Sequence, residues 1–195
     1  MSESRIVVRS AEMRDAEIIA SAVAMAIGDT GTLKAYCGEQ YHSVLQDIAR
    51  QDDTQYSWRK ALVAQVGNTV AGAIVGYDGA LLATLREATF AVISHHTGFT
   101  PTVADETQAG EYYLDSVAVL PQFRGLGVGQ RLITALCERA FAEGHDRVGL
   151  IVDCDNPKAE RLYTSLGFRR VGTKTFFGHT MWHLQVERDY KTAQK

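Results

Sequence analysis

The part of this sequence with the clearest chemical potential is a glycine-rich turn, Arg124-Gly125-Leu126-Gly127-Val128-Gly129. Alternating glycines let the backbone turn its N–H groups inward, and a helix that begins directly after the turn adds partial positive charge. A phosphate or pyrophosphate group suits such a junction, and the Arg124 guanidinium could add a full charge. A tight turn that only needs positive φ would contain the same glycines, so the turn alone leaves both interpretations open.

The spacing of these glycines argues against two common nucleotide-binding motifs. The GxGxxG fingerprint fails because Gln130 stands at its last position, and no Lys-Ser or Lys-Thr pair follows as in a Walker P-loop. A dinucleotide-binding fold also usually places this loop after its first strand, not two-thirds along the chain. The turn therefore favours a phosphorylated cofactor of another kind.

The elements on either side of the turn have the clearest secondary-structure signals in the chain. Residues 112–120 read as a strand that Pro121 ends, and apolar residues recur at helical spacing from Val128 to Phe141. The helix stops at Gly144, and residues 148–152 read as a buried strand. This order predicts an α/β sheet with at least one parallel βαβ unit.

A second, shorter helix follows, and it has residues typical of a helix start and a helix end. Asn156 is placed to cap it, Pro157 occupies its first position, and Gly167 lies just beyond its end. Residues 168–177 and 179–186 then predict two closing strands that turn around Gly178.

The first half gives weaker signals. It predicts a strand at residues 6–9, a helix that Asp15 caps and Gly28 ends, a second helix around residues 44–49, and a hairpin over residues 61–77. Residues 79–110 are the least legible part. Leu82, Leu85, Val92 and Ile93 hint at a helix there, and the polar remainder is either a binding loop or an inert surface insertion.

Composition limits the classes of protein that fit. The chain has 195 residues, of which 46% are hydrophobic and 22% charged, so a disordered or fibrous protein is excluded. Twenty Lys and Arg against 23 Asp and Glu give a net charge of −3, which argues against a nucleic-acid partner. The apolar runs are short and no signal peptide is recognised at the N-terminus, so we expect no membrane partner.

The three cysteines, Cys37, Cys137 and Cys154, are scattered and form no CxxC pair. A disulfide framework or a structural zinc site is therefore not expected. The histidine pairs 95–96 and 179/183 have no third ligand by spacing, so we expect no metal. These features together predict a reduced, cytoplasmic protein with a single domain.

Two motifs in the second half resemble those of the GNAT family of N-acetyltransferases. Arg124, Gly127 and Gly129 occupy the defining positions of its Arg/Gln-x-x-Gly-x-Gly/Ala turn, and residues 114–121 are similar to its fourth strand. Residues 156–168 match its Asn-x-x-Ala-x-x-Leu-Tyr-x-x-x-Gly-Phe signature at every position. The specific resemblance covers roughly residues 111–177.

The resemblance implies a fold and a cofactor. The expected fold is a mixed, mostly antiparallel twisted sheet flanked by helices, with splayed central strands, in one domain over residues 1–195. Residues 79–110 would be a variable insertion near the acceptor site. The expected cofactor is acetyl-CoA, which donates an acetyl group to a primary amine in a ternary complex.

The cofactor residues also follow from the resemblance. The pyrophosphate would lie against the backbone N–H groups of the turn, and the pantetheine arm would pair with the edge of the fourth strand. Asn156 and Lys158 would be further contacts, although a helix cap and a solvated charge explain them equally well. The implied cofactor-binding residues are Val117, Val119, Arg124, Gly125, Leu126, Gly127, Val128, Gly129, Asn156, Lys158 and Tyr163.

Amide formation needs an acid for the departing thiolate and a base for the amine. Tyr163 resembles the general acid of the family, and a buried core aromatic is its alternative explanation. The base is open between Glu111, which precedes the fourth strand, Asp115 within that strand, and ordered water. Cys154 could suggest an acetyl-cysteine route, but the partners that would activate it are not apparent.

Three matters stay open at this stage. A non-catalytic module that binds or senses acyl-CoA would carry the same binding motifs as an enzyme. The acceptor could be a small-molecule amine or a protein amine. A homodimer could form through the closing strands around Phe176, Phe177, Met181 and Trp182, or those residues could belong to the core.

Overall fold

Seven strands form one mixed sheet in the order β1-β2-β3-β4-β5-β7-β6 in the computed structural model, which describes residues 5–188. Neighbouring strands are antiparallel except β4 and β5, which run parallel. The strands are β1 (Ile6–Ser10), β2 (Ala61–Val66), β3 (Thr69–Asp78), β4 (Tyr112–Val119), β5 (Arg147–Asp153), β6 (Arg169–Phe176) and β7 (His179–Glu187). The helices are α1 (Ala16–Ile27), α2 (Thr30–Cys37), α3 (Tyr41–Arg50), α4 (Leu82–Thr97), α5 (Val128–Ala142) and α6 (Pro157–Ser165).

Helices cover both faces of the sheet. The side chains of β2, which alternate between the two faces, show why this cover is needed. Ala61 and Val63 pack on one face with residues of α1, α2, α3 and α4. Leu62 and Ala64 pack on the other face with residues of α5 and α6. Successive side chains of a strand point to opposite faces, so a run that is apolar at every position needs cover on both sides.

The two central strands separate after a short ladder. Only Tyr112 and Tyr113 of β4 pair with β5, opposite Val148 and Gly149. On its other side β4 pairs with β3 along its length, apart from a bulge where the register shifts. Beyond residue 113, β4 and β5 therefore diverge and leave a wedge between them.

The bulge falls on Asp115. Val75 of β3 pairs with Ser116 and the next residue, Gly76, pairs with Leu114, so Asp115 has no partner residue in β3. A bulged residue bends its strand and re-aims its side chain. This local irregularity lies directly at the start of the wedge.

The predicted fold class is confirmed: the sheet is mixed and mostly antiparallel, helices flank it, and its central strands splay. The predicted elements of the second half are present within a few residues of their expected bounds. Within residues 5–188 no single helix is long and apolar enough to span a membrane. The helical segments 13–27 and 30–37 together have a sufficient length and apolar composition, but they meet at 118°. Residues 1–4, on which the signal-peptide expectation partly rests, lie outside the described range.

Two features of the first half differ from the prediction, and a third confirms it. Helix α2 was not predicted, and Asp29 caps it by accepting the N–H of Thr32 at 2.8 Å. Asp15 stands at the start of α1, but its carboxylate binds Arg9 at 2.7 Å and the N–H of Glu12 instead of capping that helix. The apolar residues hinting at a helix within residues 79–110 do form one, α4, and a loop of residues 98–111 follows it.

Candidate active site

The wedge between β4 and β5 holds a cavity of about 490 Å³. Asp115, Ser116 and Val117 line it from β4, and residues 151–153 line it from β5. Asn156 and Tyr163, which come from α6 and its cap, belong to the same lining. The splayed strands thus bring Val117, Asn156 and Tyr163 of the predicted site residues to one concave surface, whereas Val119, Lys158 and residues 124–129 are not part of its lining.

The glycine turn shapes the N-terminal end of α5. Gly125 and Gly127 have φ values of +80° and +82°, and an added Cβ at Gly125 would meet no atom within 4 Å. The requirement at these positions is therefore the left-handed backbone. The first helical hydrogen bond runs from the Arg131 N–H to the Gly127 carbonyl at 3.1 Å. Residues 128–130 precede it and so have N–H groups with no carbonyl partner within the helix.

The edge of β4 that faces the wedge carries unpaired backbone groups. The Leu120 N–H donates to the Ala71 carbonyl of β3 at 2.8 Å. Backbone groups of alternate residues point to opposite sides of a strand, so the N–H groups of Val117 and Val119 face the wedge. This is the edge that a strand-like ligand would extend.

Arg124 turns back toward β4. Its Nε donates to the Val119 carbonyl at 3.1 Å, and the residue is exposed. The contact ties the start of the turn to the end of the strand. The phosphate-binding role implied for Arg124 stays a prediction.

Tyr163 is held by the cap and the packing of α6. Asn156 Oδ1 accepts the N–H of Ala159 at 3.1 Å, which confirms the predicted cap, and Lys158 is exposed in the first turn. The Tyr163 ring packs edge-on against Phe168 at 5.8 Å between ring centres and is 9% exposed. Burial raises the pKa of the Tyr163 hydroxyl to about 12, so it carries its proton at neutral pH.

Asp115 lies at the centre of a polar network under the cavity. Its carboxylate accepts hydrogen bonds from the hydroxyls of Ser116 at 2.7 Å and Tyr77 at 3.0 Å. Tyr77 accepts a hydrogen bond from Gln55 Nε2 at 3.1 Å, and the same amide donates to Glu106 at 3.0 Å. Burial, reinforced by the nearby Glu106 carboxylate, raises the pKa of Asp115 to about 7.

Glu106 is fixed from the loop that follows α4. Arg86 of α4 binds the Glu106 carboxylate and also Asp105, the latter at 2.5 Å. Burial raises the pKa of Glu106 despite the nearby guanidinium. Residues 79–110 therefore contribute charged side chains to the cavity, since both Arg86 and Glu106 line it.

Glu111 occupies a different place from the cavity. It is 1% exposed and accepts hydrogen bonds from Thr107 at 2.7 Å and Gln185 at 2.7 Å. His183 Nε2 lies at hydrogen-bond distance, 2.8 Å, from the same carboxylate. Burial acts to raise its pKa, but these hydrogen bonds outweigh burial and leave the pKa below its ordinary value. A carboxylate held in this way is a weak base. Its catalytic role therefore has less geometric support than that of Asp115.

Sequence reasoning missed Gln55, Tyr77, Arg86 and Glu106. They come from four separate segments, and no local motif marks any of them. Cys154 is not among the residues that line the cavity. Within residues 5–188, no three His, Cys, Asp or Glu side chains are grouped so that they could hold a metal ion.

The wedge between two parallel strands, with the glycine-rich start of a helix beside it, agrees with the fold that the sequence motifs predict. The chain matches the model of the acetyltransferase (GNAT) family over residues 32–168, and it belongs to that family. The resemblance drawn from the motifs is thereby confirmed.

Solved structures share the whole architecture. A crystal structure of an acetyltransferase is 34% identical, with a TM-score of 0.78, over 93% of this chain and 98% of that one. An N-acetyltransferase from Staphylococcus aureus is 25% identical, with a TM-score of 0.81, over 92% of this chain and all of that one. YncA from Salmonella typhimurium, a putative acetyltransferase solved with its cofactor acetyl-CoA, shares the fold at 20% identity, with a TM-score of 0.59, over 94% of each chain.

Curated relatives match over shorter stretches. A mycothiol acetyltransferase from Kocuria rhizophila is 36% identical over 109 residues, which are 55% of this chain and 32% of that protein. The chain thus aligns with about a third of the length of this relative.

Proposed function

We propose that the protein is an acetyl-CoA-dependent N-acetyltransferase that acts on a primary amine. The observation that carries the proposal is the wedge between β4 and β5, in which Asp115 and Tyr163 line one cavity. Membership of the acetyltransferase family supports the same reaction class.

The cofactor fits the backbone of the site. The N–H groups of residues 125–129 would hold the pyrophosphate at the N-terminus of α5. The N–H groups of Val117 and Val119 would pair with the pantetheine arm as it enters the wedge. Asn156 and Tyr163 would line the part of the cavity that the arm reaches.

Acetyl-CoA supplies a thioester whose carbonyl carbon a neutral amine can attack. Asp115 would take the proton that the amine nitrogen gives up as the amide bond forms, because its pKa of about 7 suits proton transfer at neutral pH. Tyr163 would give its proton to the sulfur as the carbon–sulfur bond breaks. Tyr77, which donates to Asp115 at 3.0 Å, would hold that carboxylate in place.

Direct attack within a ternary complex agrees with the lining of the cavity. A covalent route through Cys154 would need that thiol beside the thioester, but the lining passes from Asp153, the last residue of β5, to Asn156 and leaves Cys154 out. The structure therefore offers more support for transfer in one step.

Thermal unfolding with acetyl-CoA tests the proposal, and NAD and ATP serve as controls. At a hundredfold excess over Kd, binding should add about 2.7 kcal/mol to the stability, or roughly 5–10 °C in Tm. Stabilisation by acetyl-CoA alone, followed by CoA release with amines, is the expected result. Stabilisation without release with any amine would favour the alternative, a non-catalytic acyl-CoA-binding module, and no stabilisation would overturn both.

A further inference from the structure

The cavity carries an excess of carboxylates. Four of its lining residues are acidic: Asp29, Glu106, Asp115 and Asp153. Within the described part of the chain, Arg86 is the single Lys or Arg among the lining residues. These side chains favour a cationic or neutral ligand group over an anionic one, because the carboxylates give the cavity a negative field.

Both terminal nitrogens of Arg86 are already bonded to protein groups. Its Nη1 binds Asp105 at 2.5 Å, and its Nη2 binds Glu106 and the Ala104 carbonyl, the latter at 3.0 Å. The Arg86 side chain is only 12% exposed. A carboxylate on the acceptor would therefore have to compete with Asp105 and Glu106 for the Arg86 guanidinium.

An unpaired acceptor oxygen points to the same kind of ligand. Gln55 is 1% exposed and lines the cavity, and both hydrogens of its Nε2 are used, toward Tyr77 and Glu106. Its Oε1 has no hydrogen-bond partner in the described structure. A buried acceptor without a donor is costly, and an amine that enters the cavity beside Gln55 would lower this cost once the side-chain amide turns toward it.

Apolar groups form other parts of the cavity wall. Tyr36 and Tyr56 share a hydrogen bond between their hydroxyls at 3.1 Å, and Phe177 packs edge-on against Tyr36 at 5.8 Å between ring centres. All three residues line the cavity, together with Met25 and Met181. Such a wall suits the body of a small organic amine.

We propose that the acceptor is a small primary amine with an apolar body and no carboxylate beside the nitrogen. This inference rests on the proposed function and narrows it. The carboxylates of the cavity and the unpaired Gln55 oxygen receive an amine nitrogen, and the engaged state of Arg86 discriminates against α-amino acids.

Matched acceptors test this selectivity. CoA release is measured with three pairs that differ by one carboxylate: tyramine and tyrosine, agmatine and arginine, and cadaverine and lysine. The kcat/KM for at least one amine should exceed that of its amino acid at least about tenfold, since like charges in a closed site repel. Tyrosinamide, which is similar to tyrosine in size but lacks the carboxylate, should react within a few fold of tyramine.

Two variants test whether the selectivity against carboxylates depends on the contacts of Arg86. In Glu106→Gln, Arg86 loses its buried carboxylate partner, so the ratio of kcat/KM between tyramine and tyrosine should fall several fold. The ratio is informative because a change in the protonation of Asp115 affects both substrates alike. Asp105→Asn removes a partner that is 77% exposed and outside the cavity lining, so it should leave the ratio nearly unchanged.

Three results would overturn the inference. They are equal rates for amines and their amino acids, equal discrimination against tyrosinamide and tyrosine, and no turnover of any of the three amines by a protein that releases CoA with another acceptor. A protein that acetyl-CoA fails to stabilise, or that releases CoA with no acceptor at all, would instead contradict the proposed function, so the two failures are distinguishable.

Discussion

Asp115 and Tyr163 line one cavity, and burial raises the pKa of both groups. The shifts have different consequences because the two groups have different ordinary pKa values. With a pKa of about 7, Asp115 exchanges its proton near neutrality, whereas Tyr163, at about 12, remains a proton donor. One environment therefore gives the two groups the protonation states that the proposed base and acid need.

The first prediction concerns the pH dependence of turnover. Protonated Asp115 cannot accept a proton, so kcat at saturating substrates should rise with pH through a limb near 7. Asp115→Asn should lower kcat about 10²–10⁴-fold and remove this limb. Initial rates of CoA release, measured from about pH 5.5 to about pH 9, give both the limb and the change in kcat. Asp105→Asn is the control, and a limb that persists unchanged in Asp115→Asn would assign it to another group.

The second prediction concerns Tyr163. Tyr163→Phe keeps the ring that packs on Phe168 but removes the hydroxyl proton. It should lower kcat about tenfold or more and leave the Kd for acetyl-CoA within about twofold. Steady-state kinetics and calorimetric binding give the two values. An unchanged kcat would remove Tyr163 from the role of general acid.

At this scale the sequence predicted Tyr163, which does line the cavity, and left the base open between Glu111, Asp115 and ordered water. The orientation of Asp115 depends on a bulge, which arises because the flanking Ser116 and Leu114 pair with consecutive residues, 75 and 76, of a strand far away in sequence. Glu111 lies only four residues away, yet it is buried against β7. Offset along a chain does not determine which carboxylate reaches a cavity.

At the scale of elements, Glu111 links a loop to the sheet. Through Thr107 it holds the loop next to Glu106, and through Gln185 it holds β7. Its carboxylate lies over Gly149 of β5, where an added Cβ would be 1.9 Å from Oε2. Only glycine leaves room for this contact.

The third prediction follows from that contact. Gly149→Ala should destabilise the protein by about 2 kcal/mol, because it displaces a buried, hydrogen-bonded carboxylate. At this size the Tm should fall roughly 4–8 °C. Gly172→Ala on β6, where an added Cβ would meet nothing within 4 Å, should change stability by no more than about 0.5 kcal/mol. Equal melting temperatures for the two variants would contradict the packing of Glu111.

Elements with local signals were predicted well. Helix α6 carries its own cap at Asn156, and α5 has an apolar stripe that recurs along its length. Helix α2 escaped prediction because it is short, begins Thr30-Gly31-Thr32, and gains its stability from the burial of Leu33, Tyr36 and Cys37. Its Asp29 cap was the one signal available in the sequence.

At the scale of the molecule, the closing strands β6 and β7 and the turn between them contribute residues to the cavity wall. Phe176, Phe177 and Met181 line it, and the Trp182 ring lies 3.9 Å from the Arg170 guanidinium. These residues thus have partners within the chain. A homodimer formed through them stays a prediction.

The wedge separates the sheet into β1–β4 and β5–β7, which meet along the two-residue ladder of β4 and β5. A cofactor bound along the free edge of β4 would add hydrogen bonds where this ladder ends. Acetyl-CoA should therefore slow amide hydrogen exchange at Val117 and Val119, whose N–H groups face the wedge.

Residue-resolved exchange measured by NMR, with and without acetyl-CoA, checks this fourth prediction. Ala118 is the internal control, because its N–H faces β3 and is already paired in the sheet. Slower exchange at residues 125–129 with no change at Val117 and Val119 would mean that the cofactor binds the glycine turn without extending β4. Slower exchange at both places would mean that one ligand spans the turn and the wedge, which is the geometry that transfer to an amine beside Asp115 requires.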